Sequence, residues 1–256
     1  MKQFVGRPIL AAAAFQAAYK RTIPLAGLLT CALLLAAAAS AATLDQTGTF
    51  NGLKVDYKVV LPDHYDPARA WPALLAFGGG PQNMRVVENS LDRVWRKEAE
   101  RRGYIVVAPA APDGKLFHEG GLRIFPEFLD RILGDYKVQG GKFHVAGSSN
   151  GGLSAFEVAS RYPKYFWSVT GLPGMLNEPT PENIAPLKPL CIYMDVGEFD
   201  AVGVPEMRNQ VEDFWRRGYK AEFRVEPDQG HGINFDDAGI KRLFDQLDAA
   251  GKGCGQ

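Results

Sequence analysis

Short apolar runs alternate along this chain with longer segments of helical periodicity. Residues 72–77, 104–108, 142–146, 166–170, 189–194 and 221–226 are brief, rich in Val, Ile, Leu and Phe, and read as buried strands. Residues 86–102, 121–135, 152–160, 205–217 and 236–249 read as helices between them. In 121–135, Phe125, Phe128, Leu129, Ile132 and Leu133 recur at helical spacing, which predicts a stripe facing a core. Thr49 and Phe50, followed by Leu53 to Leu61, read as an antiparallel hairpin that opens the array. Strands alternating with helices predict an α/β fold, a mostly parallel central sheet with helices on both faces. The proline-rich stretch 171–188 reads as a connecting loop, as well suited to a surface path as to the border of a pocket.

The first 41 residues have a different character. Lys2, Arg7, Lys20 and Arg21 are the only charges before Asp45, and an apolar segment from Leu25 runs into alanines. Ala39-Ser40-Ala41 fits the small-x-small rule for signal peptidase. Residues 1–41 are therefore expected to be a signal peptide and 42–256 a single domain, secreted or periplasmic. Retained as an anchor, residues 23–42 are long enough to span a bilayer, and a membrane partner is expected only in that case. Without residues 1–41, the remaining 215 carry 25 Lys and Arg against 29 Asp and Glu, net −4. That balance argues against nucleic acid as a partner. Export permits a disulfide between Cys191 and Cys254, but spacing alone does not choose between a bond and two free thiols. No C-x-x-C or H-E-x-x-H spacing suggests a metal.

Candidate chemistry centres on Gly147-Ser148-Ser149-Asn150-Gly151, a G-x-S-x-G pentapeptide between the strand 142–146 and the helix 152–160. A sharp turn there would lift the Ser149 hydroxyl above the sheet. The Asn150 N–H, at a helix N-terminus, would face a developing oxyanion. An acidic loop follows the strand 189–194 and holds Asp195, Glu198 and Asp200. Asp195 ends the strand and reads as structural, while Glu198 and Asp200 compete for the role of acid; Gly197 to Asp200, with Val204-Pro205 beyond, resembles the acid loop of many esterases, and that resemblance implies Asp200. Among four histidines only His231, between Gly230 and Gly232, follows the acid; His144 alternates with Phe143 and Val145 and reads as a core residue. Nucleophile, acid and base thus occur in the order Ser149, Asp200, His231. Gly78 and Gly79 follow the strand 72–77, and either could supply a second oxyanion donor. Phe117, His118, Leu172 and Met175 are candidate pocket residues from neighbouring loops.

Together these residues resemble the α/β-hydrolase superfamily over nearly all of 42–256. Tyr57 to Pro62 with Tyr65, the glycine loop, and the serine turn on a chain without room for a large cap resemble secreted esterases. These are the feruloyl, acetylxylan and polyhydroxybutyrate depolymerase-like enzymes, although Phe77 stands where they usually carry histidine. The resemblance implies an α/β-hydrolase fold with no large cap domain, a serine ester hydrolase working through an acyl-enzyme, no cofactor, and a small-molecule or polymer ester as substrate. Ser148-Ser149-Asn150-Gly151-Gly152 is also similar to the turn of prolyl-oligopeptidase-like peptidases. A peptidase, an acyltransferase and a non-catalytic binding protein on the same fold are the competing expectations.

Overall fold

The computed structural model describes residues 42–254. The expected signal peptide, and most of the alternative anchor, lie outside the described residues. Strands β1 (Ala42–Phe50) and β2 (Leu53–Leu61) form the antiparallel hairpin. There follow β3 (Trp71–Phe77), α1 (Met84–Ser90), α2 (Arg96–Arg102), β4 (Ile105–Pro109), α3 (Phe125–Asp135), β5 (Val138–Gly147) and α4 (Asn150–Arg161). The order continues with β6 (Phe166–Gly171), α5 (Pro181–Ile184), β7 (Cys191–Gly197), α6 (Gly203–Arg216), β8 (Ala221–Glu226) and α7 (Asp237–Ala250). Among the described residues the eight strands share one sheet in the order β1-β2-β4-β3-β5-β6-β7-β8. β2 pairs antiparallel with β1 and β4, and every pairing from β4 to β8 is parallel.

Alternation along the strands divides the core between two faces. Ala73, Leu75 and Phe77 of β3 pack with side chains of α3, α4 and α6, whereas Leu74 and Ala76 pack with those of α1, α2 and α7. This is the layering that strands buried on both sides require. β1 begins at Ala42 rather than Thr49 and β5 at Val138 rather than Lys142, and three further expectations shift. The helix expected over 86–102 contains a π-helical stretch, Leu91–Trp95, between α1 and α2. α3 starts at Phe125 rather than 121, since a wide π-helical turn (Phe117–Gly121) and a tight 3-10 turn (Leu122–Ile124) precede it and Pro126 suits only a first helical turn. The stretch 171–188 contains α5, where the Thr180 side chain accepts the Asn183 N–H.

Cys191, at the start of β7, is disulfide-bonded to Cys254 beyond α7. One polar group in the core carries a pH dependence. His144 of β5 is buried, with Nδ1 2.8 Å from Ser168 Oγ on β6. Burial pushes its pKa down from 6.5 to about 4. The folded state therefore holds a neutral imidazole that the unfolded chain protonates below pH 6.5. The associated stability is fully present above that pH and is lost as pH falls towards 4, a difference of about 3 kcal/mol. His144→Gln should flatten this limb. Urea midpoints measured at neutral pH and near pH 4 should fall less in the variant than in the parent; equal falls would assign the acid sensitivity to other groups.

Candidate active site

The parallel strands deliver their loops to one end of the sheet. β5 stops at Gly147, and Ser149 turns the chain into α4 with φ 55° and ψ −121°, a strained conformation for a residue with a side chain. Close packing holds it there. A Cβ on Gly147 would lie 2.1 Å from the Gly151 carbonyl oxygen, and one on Gly151 would lie 2.5 Å from that of Gly78. The Ser149 N–H donates to Pro173 O (2.8 Å), and the Leu172 N–H donates to Gly147 O (2.9 Å). The turn is thus bonded to the loop after β6.

β7 and β8 bring up the other two groups. Asp200 Oδ2 lies 2.6 Å from His231 Nδ1, and His231 Nε2 lies 2.8 Å from Ser149 Oγ. Asp200 is buried, and its Oδ1 accepts the Gly203 N–H at 2.8 Å. Burial works against its ionisation, but the Gly203 N–H and the His231 imidazole outweigh that and hold the carboxyl below its ordinary value. In this arrangement Nδ1 carries the imidazole proton towards Asp200, and Nε2 is the acceptor facing the serine. The His231 side chain is 61% exposed, so the centre opens to solvent.

Glu198 takes a different place. Its Oε2 accepts the Asp228 N–H (3.1 Å), while the Glu198 N–H donates to Glu226 O and the Phe199 N–H to Gln229 O. These bonds hold the start of the His231 loop against the acid loop. Asp195 is buried and bonded to Arg242 of α7, which also contacts Glu226.

Gly78 and Gly79 differ in position. Gly78 is buried, and its missing side chain would strike Val86. Gly79 is half-buried, and a Cβ there would lie 3.6 Å from Ser149 Cβ. Asn150 begins α4, where no preceding helical carbonyl can take its N–H. Its side chain donates to Gly80 O at 3.0 Å. Behind the glycine loop lies Gln82, 1% exposed with φ 50°. Its carboxamide accepts the Phe117 N–H (2.9 Å) and donates to Ser154 Oγ (3.1 Å), which itself donates to Asn150 O (2.8 Å). Glycine loop, α4 and the loop after β4 are tied together by this one side chain.

Of the four candidate pocket residues, Met175 lines the cleft with Ser149 and His231, a cavity of about 270 Å³. The other three stand elsewhere. Phe117 is fully buried against Phe77 and Phe125, and Leu172 is buried in the core, since aromatic and aliphatic side chains beneath a tight turn complete its packing. His118 is half-buried, with Nδ1 3.3 Å from Ser154 Oγ. Leu153, Pro173, Val202, Glu206 and Met207 also line the cleft and were not expected. Leu153 was within reach of sequence reasoning, because it lies one helical turn after Ser149.

No family model matches the chain. Dipeptidyl-peptidase 5 of Porphyromonas gingivalis is 32% identical over 133 residues, 46% of this chain but only 19% of the peptidase's length. A thermostable esterase superposes with TM-score 0.64 at 18% identity, covering 79% of this chain and 62% of the esterase. A ferulic acid esterase superposes with TM-score 0.60 at 19% identity, covering 84% and 99%. Strand order, serine turn and these likenesses together give the chain the α/β-hydrolase fold.

Proposed function

We propose that this chain is a serine hydrolase of carboxylic esters, with residues 42–256 as its hydrolase domain and 1–41 as a leader for export. The observation that carries the reading is the unbroken hydrogen-bond relay from Ser149 through His231 to Asp200. His231 Nε2 takes the hydroxyl proton as Ser149 Oγ attacks the ester carbonyl. Asp200 holds the tautomer and stabilises the imidazolium. The Asn150 and Gly79 N–H groups receive the oxyanion of the tetrahedral intermediate. His231 then protonates the departing alcohol. Water, deprotonated by the same imidazole, cleaves the acyl-enzyme and releases the acid. No cofactor enters these steps. The Cys191–Cys254 bond supports action in an oxidising compartment.

A second reading, peptide hydrolysis, is favoured by the stretch shared with dipeptidyl-peptidase 5. The same machinery would then expel an amine. Matched p-nitrophenyl esters and p-nitroanilides, from acetyl to long acyl chains, separate the two. Ester turnover exceeding anilide turnover by more than their intrinsic reactivity difference supports the esterase. Efficient cleavage of aminoacyl anilides would move the assignment to a peptidase.

A further inference from the structure

The cleft does not end at the serine. A second cavity of about 450 Å³ adjoins it, and Met175 and Glu206 belong to the walls of both. Helix α6 forms one side of this extension, with Glu206, Asn209 and Asp213 at helical spacing along it. The opposite side is the chain from Met175 to Pro179. Gln210 pins the two sides together: its Oε1 accepts the Leu176 N–H (2.9 Å) and its Nε2 donates to Leu176 O (3.0 Å). The groove therefore has a fixed width.

Its charge is one-sided. Asp213 is neutralised by Arg216 and Arg217. Among the described residues no Lys or Arg lines either cavity, and Glu206 has no ion-pair partner. The helix dipole favours an acidic residue in the first turn of α6, which accounts for a glutamate in this turn but not for its place on the shared wall.

We propose that Glu206 is a specificity-determining residue, selecting substrates that carry a protonated amine or quaternary ammonium a few bonds from the scissile carbonyl. The inference rests on the proposed hydrolase reading. A cation in the groove would meet Glu206 without a competing positive side chain, whereas an anion there would be repelled.

The test uses charge-matched pairs. One pair, p-nitrophenyl 6-aminohexanoate and p-nitrophenyl hexanoate, places the charge on the acyl side. The other, acetylcholine and 3,3-dimethylbutyl acetate, places it on the alcohol side. In at least one pair the parent protein should favour the cationic ester by about five-fold in kcat/KM at low salt. The preference should shrink as salt rises from about 0.02 M to about 0.5 M. Glu206→Gln should bring the ratio to within about two-fold of unity, by losing more on the cationic member than on the neutral one. A preference absent in both pairs, or retained in Glu206→Gln, overturns the proposal. Calorimetric binding of the same pairs to Ser149→Ala and to Ser149→Ala/Glu206→Gln reads the charge effect without turnover. Failure of the hydrolase reading would appear instead as no Ser149-dependent hydrolysis of either neutral ester.

Discussion

Ser149→Ala is expected to lower kcat/KM for p-nitrophenyl esters by about ten-thousand-fold or more while leaving thermal unfolding nearly unchanged. The hydroxyl is the atom placed 2.8 Å from His231 Nε2. Alanine keeps the turn's Cβ, so the strained φ of 55° is not made worse. Nucleophile and base act as one unit, so His231→Ala added to Ser149→Ala should cost little more. Asp200→Asn should fall by a similar factor alone, because an amide nitrogen towards Nδ1 favours the tautomer that cannot take the serine proton. Steady-state kinetics on the three single variants and the double variant check this. Retention of a tenth of parental turnover by Ser149→Ala would place the nucleophile elsewhere.

Gly147→Ala is expected to destabilise the protein by about 3 kcal/mol or more, through one methyl group. Its Cβ would sit 2.1 Å from the carbonyl oxygen of Gly151 and 2.3 Å from that residue's carbonyl carbon. Both belong to the backbone of α4, so no side chain can rotate away. Relief requires β5 and α4 to separate. The Tm should drop by roughly 6–12 °C, and the relay should loosen with it. Gly134→Ala is the control. That site on α3 is exposed with nothing within 4 Å of an added Cβ, and there alanine should raise stability by about 0.5–1 kcal/mol. A Gly147→Ala protein as stable as the parent would mean that the turn yields far more readily than its packing implies.

Much of this was legible in the sequence for local reasons. β-branched and apolar runs marked the strands, and the spacing of Phe125, Phe128, Leu129 and Ile132 marked α3. Ser149, Asp200 and His231 each follow a strand within a glycine-marked loop, so their order could be read before their distances were known. What escaped depends on contacts distant in sequence. Gln82 meets Ser154 across 72 residues and the Phe117 amide across 35, and no spacing advertises either pairing. Phe117 and Leu172 lie in loops near the site, yet chain position does not say which way a side chain faces, and both turn into the core. Glu206 was hidden by an ordinary reading: an acid in the first turn of a helix needs no ligand to explain it.

The Gln82 link also sets the terms on which this scaffold could be re-engineered. A glycine loop transplanted from another enzyme would arrive without the carboxamide that the Phe117 amide requires, leaving that buried N–H unmet at about 1–3 kcal/mol, and Ser154, still bonded to Asn150 O, would lose its link to the loop. Residues 78–83, Ser154 and the segment around Phe117 therefore form one cassette. Exchanged together they can be moved between scaffolds; exchanged singly, each would be rejected by the other two.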